Sequence, residues 1–290
     1  YNRTHTGTNF FCSDVPINSK NNIQTSNKKQ KNKRKKRRRK MSQNGALGLD
    51  IGSKSCTIAV VKGRGVEIVT NEVSNRATPN VVSFGDKQRL LGESGATKMK
   101  SNWKNTISSA SRFLGMRNSY PYLEEEKKWL TCKVGTGEND KVAFEVNYQG
   151  ETLHLSPEKA VAMLLQKLKI TWQEAGLATS DIVISVPGYW TDLERKAMLD
   201  AAAIVELKCL RLMNEMTASS LSYGLFRRNE FSEKEARNVC FVDFGHSKLS
   251  VNVASFWSEK FEVIGQAHDR HLGTRDMDWI LMERYAKNFE

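Results

Sequence analysis

The stretch LGLDIGSKSCTIAVV, residues 47–61, has a counterpart in VCFVDFGHSKLSVNVASF, residues 239–256. In both stretches an apolar run ends at an aspartate, a glycine follows two places later, and residues of alternating polarity lead away from it. The aspartates are Asp50 and Asp243, and the glycines are Gly52 and Gly245. This pattern predicts a β-hairpin in each place, because glycine permits the tight turn between two strands.

Such a hairpin can bind a phosphate, since its turn can bring backbone N–H groups up to the oxygens. The aspartate at the strand end can then hold a hydrated divalent cation. A single Asp-x-Gly turn is weak support for this chemistry, because most such turns only reverse the chain. Two copies far apart in one chain favour two halves that close on one polyphosphate.

The positive charge of the chain is concentrated at its beginning. The net charge is +13 over 290 residues, and the isoelectric point is about 9.5. Residues 1–40 hold 13 of the 45 basic residues and one of the 32 acidic residues, which leaves 32 basic and 31 acidic residues for the rest. The high isoelectric point therefore belongs to this tail and does not make the folded part a nucleic-acid binder.

The tail is rich in Asn, Ser, Thr and Lys and ends in KKQKNKRKKRRRK, residues 28–40. It has little apolar content and no periodicity, so we expect it to be disordered. It could act as a nuclear-localisation signal or as a polyanion-binding arm. Because the chain opens with Tyr1 and Met41 directly follows the basic run, we expect Met41 to be the true start and residues 1–40 to be upstream sequence read in frame.

The remaining composition indicates a cytoplasmic protein that does not engage a membrane, or a nuclear one if residues 28–40 are translated. Five cysteines are scattered without Cys-x-x-Cys spacing, which predicts reduced, buried thiols. No apolar run approaches the length of a membrane span. The five histidines are not clustered and show no metal-site spacing.

The second half of the sequence alternates predicted helices and strands. Residues 156–176 predict a helix with Ser156 as N-cap and Gly176 as stop. Its apolar stripe, which we expect in the core, is Val161, Leu164, Leu165, Leu168 and Trp172. Thr191 and Glu194 form a capping box that opens a second helix. Predicted strands surround these helices, so the fold class is α/β with a mixed sheet in each half.

Several longer segments resemble the nucleotide-binding domain of the heat-shock protein 70 superfamily. They are NEVSNRATPNVVSF, SNWKNTISSASRFLGM, VPGYWTDLERKAMLDAA and LRLMNEMTASSLSYGL. The variants FVDFGHSKLSV, NEVSNR and LRLMNE are most similar to the heat-shock protein 110 branch, whose large members act as nucleotide-exchange factors and holdases. The resemblance implies an actin-like ATPase fold of two lobes, each a mixed β-sheet flanked by helices, which binds ATP and Mg²⁺.

The resemblance also implies domain boundaries. Residues 41–237 would form the first lobe, with an inserted subdomain at about 80–155, and residues 238–290 would begin the second lobe. The family's later motifs, its interdomain linker and its peptide-binding domain do not follow. We therefore expect an incomplete second lobe with an unpaired sheet edge and an exposed apolar face.

Functional residues are carried over by position from this resemblance. The first phosphate loop would be Asp50, Gly52, Ser53 and Lys54, and the second would be Asp243, Gly245, His246 and Ser247. Asp50 and Asp243 would hold Mg²⁺ through water, and Glu215, whose counterpart faces the metal and the active-site water, completes the candidate catalytic set. Pro187 and Arg195 would couple nucleotide state to a partner domain. Without the resemblance, the sequence would favour a plain strand end for Pro187 and a solvated helix residue for Arg195.

The sequence departs from the family at positions that matter for hydrolysis. Ala96 stands where active members have a lysine that contacts the phosphates and the attacking water, and the nearest lysine is Lys98. Lys248 replaces a threonine and Ser250 an aspartate. Lys54 replaces a small polar residue, and it either supplies charge to a phosphate or blocks the pocket. We expect binding without efficient turnover, because phosphoryl transfer depends on positioned charge.

The function that the resemblance implies is that of an ATP-binding chaperone. It would release ADP from a conventional heat-shock protein 70 partner and hold unfolded client proteins through a downstream domain. One alternative is an active ATP-hydrolysing folding chaperone in which Lys98 or Lys54 replaces the missing lysine. Another is a nucleic-acid-binding protein that uses the basic tail. A sugar or metabolite kinase of the same fold is disfavoured, because no substrate aspartate can be identified.

Overall fold

The computed structural model describes residues 45–63 and 65–289. The predictions for the basic tail, for Met41 as the start and for Cys12 concern residues outside these ranges. Within them, no helix is both long enough and apolar enough to cross a bilayer.

The strands follow one another along the chain as β1 Leu47–Ile51, β2 Ser55–Lys62, β3 Gly65–Val69, β4 Thr78–Pro79, β5 Val81–Phe84, β6 Arg89–Leu91, β7 Thr106–Ser108, β8 Lys133–Thr136, β9 Val142–Tyr148, β10 Glu151–Leu155, β11 Asp181–Val186, β12 Lys208–Asn214, β13 Arg237–Phe244, β14 Leu249–Phe256 and β15 Phe261–Asp269. The helices are α1 Glu93–Ala96, α2 Leu123–Lys127, α3 Pro157–Glu174, α4 Asp192–Ile204, α5 Glu215–Phe226 and α6 Thr274–Ala286.

The largest sheet carries the first Asp-x-Gly turn and is mixed, as the sequence predicts. Its strand order is β12-β11-β1-β2-β3, and β4 pairs with β2. The strands β1, β11 and β12 run parallel, whereas β2 returns antiparallel to β1. The parallel register places Asp50 opposite Ser185, so the end of β1 lies beside the end of β11.

Two small antiparallel sheets lie within the predicted insertion at about 80–155. Their strand orders are β6-β5-β7 and β10-β9-β8. The helices within this region are the short α1, which follows β6, and α2. The limits of the predicted lobes and of the insertion stay predictions.

Local sequence signals set the ends of α3 and α4 as predicted. The side chain of Ser156 accepts a hydrogen bond from the backbone N–H of Lys159, and Gly176 follows α3 with φ +81°. Thr191 and Glu194 form a complete capping box at the start of α4. The apolar stripe of α3 is fully buried and packs in the main core beneath the central sheet.

The chain from β13 onward forms a separate three-stranded antiparallel sheet, β13-β14-β15, followed by α6. A small aromatic core around Phe231 and Phe256 packs against it. Large apolar side chains in β13, β15 and α6 stay exposed, as expected for this segment; examples are Val242, Ile264, Ile280, Leu281 and Met282.

The cysteines correct one expectation. Cys56 and Cys132 are buried as predicted, and Cys209 is half-buried. Cys240 is exposed, so the prediction of a buried thiol is wrong there. The reason is the alternation of β13, in which Val239 and Phe241 point toward the small core and Cys240 points the other way.

Candidate phosphate-binding site

The structure brings the two Asp-x-Gly turns together. The hydroxyl of Ser53 in the first turn and the hydroxyl of Ser247 in the second form a direct hydrogen bond, although the residues are 194 positions apart. The second turn also contacts the start of α6, because the backbone N–H of Arg275 in that helix donates to the carbonyl of His246 at 2.9 Å. The repeat seen in the sequence is thus one site in space.

The first turn is held from one side through its carbonyl groups. The Asn80 side chain donates to the carbonyl of Gly52 at 2.8 Å, and the Ser109 hydroxyl donates to that of Ser53 at 2.8 Å. In a planar trans peptide the N–H points away from the C=O, so the N–H groups of Ser53 and Lys54 face away from these donors. Sequence reasoning missed Asn80 and Ser109, whose partners lie far along the chain.

Glycine is required in the first turn because the backbone approaches itself closely. A Cβ atom on Gly52 would lie 2.8 Å from the carbonyl oxygen of Ser55. At Gly245 the nearest atom to such a Cβ is the Lys248 carbonyl oxygen at 3.5 Å, an ordinary contact. The first turn therefore tolerates substitution less well than the second.

A cavity of about 1010 Å³ opens beside the two turns. Every residue assigned to the two phosphate loops lines it, together with the candidate catalytic glutamate: Asp50, Gly52, Ser53, Lys54, Glu215, Asp243, Gly245, His246 and Ser247. The roles of these residues stay predictions, whereas their convergence is a property of the structure.

Two carboxylates lie close together at the cavity. Burial raises the pKa of Asp243, and the negative charge of Asp50 raises it further. Asp50 accepts a hydrogen bond of 2.7 Å from the hydroxyl of Ser185, a partner that the sequence did not reveal. A pair of neighbouring carboxylates suits a hydrated Mg²⁺ ion, so Asp50 and Asp243 fit the cation that the family implies.

Glu215 does not join this pair as a free carboxylate. It stands at the start of α5, and its carboxylate forms an ion pair with the ammonium group of Lys248. Both side chains are largely buried, with 16% and 13% exposure. Burial lowers the pKa of Lys248 to about 8, and the charge of Asp50 opposes that shift. Within the described residues no group of three or more His, Cys, Asp or Glu side chains is arranged to hold a metal ion.

Ala96, at the position of the family's phosphate-contacting lysine, lines a second cavity of about 710 Å³. The two cavities share Ser53, Lys54, Ser55 and His246, so the cavity that Ala96 lines also reaches both Asp-x-Gly turns. Lys98 is exposed and lines neither of the two cavities. Lys54 is exposed and lines both cavities.

Pro187 directly follows β11, and Arg195 holds the loop that this proline begins. The Arg195 guanidinium donates to the side chain of Asn214 at 2.9 Å and to the carbonyl of Trp190 at 3.1 Å. The interpretation of Arg195 as a solvated helix residue is therefore wrong. Because Asn214 immediately precedes Glu215, Arg195 connects this loop to the candidate catalytic glutamate.

A buried ionic cluster joins the chain before β13 to the segment that begins α6. The carboxylate of Glu126 pairs with the guanidinium groups of Arg112 and Arg275. The exposed fractions of the side chains are 1% for Glu126, 7% for Arg112 and 5% for Arg275. Nothing in the sequence marks Glu126, which lies in the acidic EEEKKW segment and looks like a surface residue.

Two Asp-x-Gly turns that close on one cavity, together with a mixed sheet flanked by helices, are consistent with the actin-like ATPase fold of a nucleotide-binding domain. Residues 46–290 match the family model described as Hsp70 protein, and the chain belongs to that family. Nucleotide binding, typically with Mg²⁺, is what this family implies.

Similar proteins are large heat-shock proteins. The chain is 43% identical over 247 residues to the "97 kDa heat shock protein" of Strongylocentrotus purpuratus, a match that covers 84% of this chain and 28% of the relative. It is 41% identical over 245 residues to "Heat shock protein 88" of Dictyostelium discoideum, and this match covers 84% of this chain and 32% of the relative. It is 39% identical over 245 residues to a heat shock protein homolog of Saccharomyces cerevisiae, and this match covers 84% of this chain and 35% of the relative.

These matches confirm the resemblance to the heat-shock protein 110 branch of the superfamily. The chain spans about a third of the length of the relatives that it matches.

Proposed function

We propose that this chain is the nucleotide-binding part of an ATP-binding chaperone that acts as a nucleotide-exchange factor and holdase, with weak or absent ATP hydrolysis. The observation that carries the proposal is the ion pair between Glu215 and Lys248 inside the phosphate site. A carboxylate engaged by an ammonium group is a poor acceptor for an attacking water, because its charge is already compensated.

The Ala96 position supports the same conclusion. A methyl group there cannot stabilise the charge that develops on the transferred phosphoryl group, and electrostatic stabilisation dominates this chemistry. Lys98 lies on the surface rather than in the cavity, so it does not replace the missing lysine. Two separate changes in the site therefore favour binding over turnover.

In this proposal the aspartates and the turn glycines that seat the nucleotide are present in both turns. The N–H groups of the two turns would contact the phosphates, and Mg²⁺ held by Asp50 and Asp243 through water would compensate phosphate charge. A hydrogen bond between Ser53 and Ser247 joins the two turns. Because the turns come from distant parts of the chain, a ligand that bridges them stabilises one arrangement of these parts, and this arrangement would be presented to a partner.

The partner in this proposal is a conventional heat-shock protein 70, from which the protein would release ADP. Unfolded clients would be bound by a downstream domain. The relatives are about three times as long as the matched region, which is long enough to include such a domain. The expected location is the cytoplasm, or the nucleus if residues 28–40 are translated. Family membership and identities near 40% to large heat-shock proteins support this assignment.

Single-turnover hydrolysis of radiolabelled ATP by the full-length protein tests the proposal. We expect ATP to stay bound and largely unhydrolysed over the time in which a conventional heat-shock protein 70 completes one turnover. A rate equal to that of the conventional protein would refute the weak-hydrolysis part. The exchange role is tested separately by release of fluorescent ADP from the partner, and no acceleration at saturating protein would refute it.

A second candidate is an active folding chaperone in which Lys54 supplies the missing charge. The observation that favours it is that Lys54 lines both cavities at the phosphate turns. The variant Lys54→Ser separates the two candidates. An active enzyme that depends on Lys54 would lose its hydrolysis, whereas the exchange factor would retain its effect on ADP release.

A further inference from the structure

Lys248 brings a positive charge into the phosphate site from within the second turn. Its carbonyl accepts a hydrogen bond of 2.9 Å from the N–H of Gly245, so the residue closes that turn. Its side chain lines the same cavity as Asp50 and pairs with Glu215. The lysine is therefore part of the site and not a surface residue near it.

The ammonium group of Lys248 retains unused hydrogen-bond donors. An ammonium carries three N–H donors. Among the described residues Glu215 is its one ionic partner, and the nitrogen atom is shielded from solvent. A buried charge with unused donors is costly unless a ligand completes its contacts. An anion in the adjoining cavity would meet this requirement.

Two lysines offset part of the negative charge that a polyphosphate would meet in the cavity. Asp50, Glu215 and Asp243 contribute three negative charges, and Lys54 and Lys248 contribute two positive ones. Without the lysines, a nucleotide polyphosphate would meet three carboxylates and would need a divalent cation to offset the repulsion. With them, the net charge of these five side chains is −1 instead of −3, so part of that compensation is covalently built into the site.

The positive field extends to the other residues of the second turn. Burial lowers the pKa of His246, and the charges of Lys54 and Arg275 lower it further. Burial is the larger cause of the lowered pKa, and the charges of Asp276 and Asp278 oppose the two cations. Lys54 lines both cavities beside the turns, and Arg275 lines the second cavity.

We infer that Lys248 is an internal counter-ion for the polyphosphate of a bound nucleotide, so that the site binds ADP and ATP with little dependence on a divalent cation. This inference rests on the nucleotide binding proposed above. Asp50 and Asp243 still accommodate Mg²⁺, but the ion adds less to affinity than it would if Glu215 were a free carboxylate.

The test is a binding titration of the full-length protein with fluorescent ADP, in buffer containing Mg²⁺ and in buffer containing EDTA. The measured quantity is the ratio of the two Kd values. We expect a ratio below about threefold for the natural protein, and above about tenfold for Lys248→Met, which keeps length and loses charge. Lys248→Arg, which keeps the charge, should restore a low ratio.

The matched control is Lys167→Met. Lys167 also forms a partly buried ion pair with a glutamate, Glu72, at 2.9 Å, but it lines neither of the two cavities. Its ratio should equal that of the natural protein. A merely structural role of Lys248 would weaken binding in both buffers and leave the ratio unchanged.

The outcomes separate the two proposals. Binding by the natural protein that falls more than about tenfold in EDTA overturns the counter-ion role and leaves nucleotide binding intact. An equal ratio for the natural protein and Lys248→Met also overturns it. No binding in either buffer overturns the proposed function and this inference together. A high ratio for the natural protein overturns the inference even if Lys248→Met fails to fold, and Lys248→Arg tests the charge independently.

Discussion

Glu194 and Arg270 connect α4 to the chain that follows β15. The Arg270 guanidinium lies 2.9 Å from one carboxylate oxygen of Glu194, and the other oxygen accepts bonds of 2.7 and 2.9 Å from the backbone and hydroxyl of Thr191. Arg270 also lies over the rings of Tyr120 and Tyr189, at 5.3 and 5.1 Å from their centroids. One carboxylate therefore both caps a helix and anchors a segment 76 residues away.

The two roles of Glu194 can be separated by mutation. Arg270→Met removes the ion pair and leaves the capping box, and we expect a loss of about 3 kcal/mol in the free energy of unfolding, because Glu194 stays buried without its partner. Thr191→Ala removes only the cap and should cost about 1 kcal/mol. Urea denaturation measures both variants.

A double-mutant cycle tests whether the contact itself is responsible. Glu194→Gln keeps a side chain that can cap α4 but removes the charge that Arg270 needs. We expect a coupling energy between Arg270→Met and Glu194→Gln of about 1 kcal/mol or more, since the residues are in direct contact. Strictly additive effects would contradict the assignment.

The cluster around Glu126 should contribute more to stability than its sequence context indicates. Glu126→Gln leaves the guanidinium groups of Arg112 and Arg275 buried without a charged partner, and we expect a loss of about 3–5 kcal/mol. The control is the neighbouring Glu125→Gln, whose side chain is 55% exposed and whose replacement should change stability by less than about 0.5 kcal/mol. Equal effects of the two variants would argue against the cluster.

The same cluster predicts a pH dependence. Burial favours a raised pKa for Glu126, but the hydrogen bonds and charges of Arg112 and Arg275 outweigh it and lower the pKa below its ordinary 4.5. The stability that this carboxylate supplies is therefore fully present above pH 4.5 and is lost as the pH falls through the lower folded-state pKa. The difference in free energy of unfolding between the natural protein and Glu126→Gln should narrow on acidification. If this difference in the free energy of unfolding widened on acidification, the pKa of Glu126 would not be lowered in the folded state.

The features that the sequence predicts correctly are local. The caps at Ser156 and Thr191 depend on residues three positions apart, and each Asp-x-Gly turn depends on a run of about fifteen residues. Ser185 could not be found in this way, because its bond to Asp50 depends on the parallel register of β1 and β11.

The same reasoning explains the other misses. Glu126 meets Arg275 across 149 positions, and Glu215 at the start of α5 meets Lys248 in the second turn. The sequence identified Lys248 as a departure from the family but not the carboxylate that it would engage. Long-range pairing of charges depends on tertiary structure, which local sequence patterns do not reveal.

Thiol reactivity should follow burial in the structure. Burial, reinforced by the charge of Asp50, raises the pKa of Cys56, and burial raises the pKa of Cys132 to about 12. Both thiols should resist iodoacetamide at mildly alkaline pH, because the thiolate is the reactive form. The exposed Cys240 should be alkylated in the native chain. Peptide mass spectrometry after timed alkylation measures this, with urea-denatured protein as the control; native labelling of Cys56 would contradict the packing.

Restoring the lost groups should restore hydrolysis if the two departures are its cause. Lys248→Thr frees the carboxylate of Glu215, and Ala96→Lys returns an ammonium group to the wall of the second cavity, where about 710 Å³ leaves room for it. We expect the double variant to raise the single-turnover rate by about a hundredfold or more, since a positioned charge at the phosphoryl group contributes on that scale. Each single variant should gain much less, because the remaining defect still limits the step.

The charge of residue 96, rather than its bulk, should be responsible for the gain. Ala96→Met combined with Lys248→Thr fills the same space without an ammonium group and should hydrolyse no faster than Lys248→Thr alone. Affinity for fluorescent ADP in Mg²⁺ buffer verifies that all variants are loaded to the same extent. A double variant that binds nucleotide fully and still does not hydrolyse it would show that the turns, and not these two side chains, limit the chemistry.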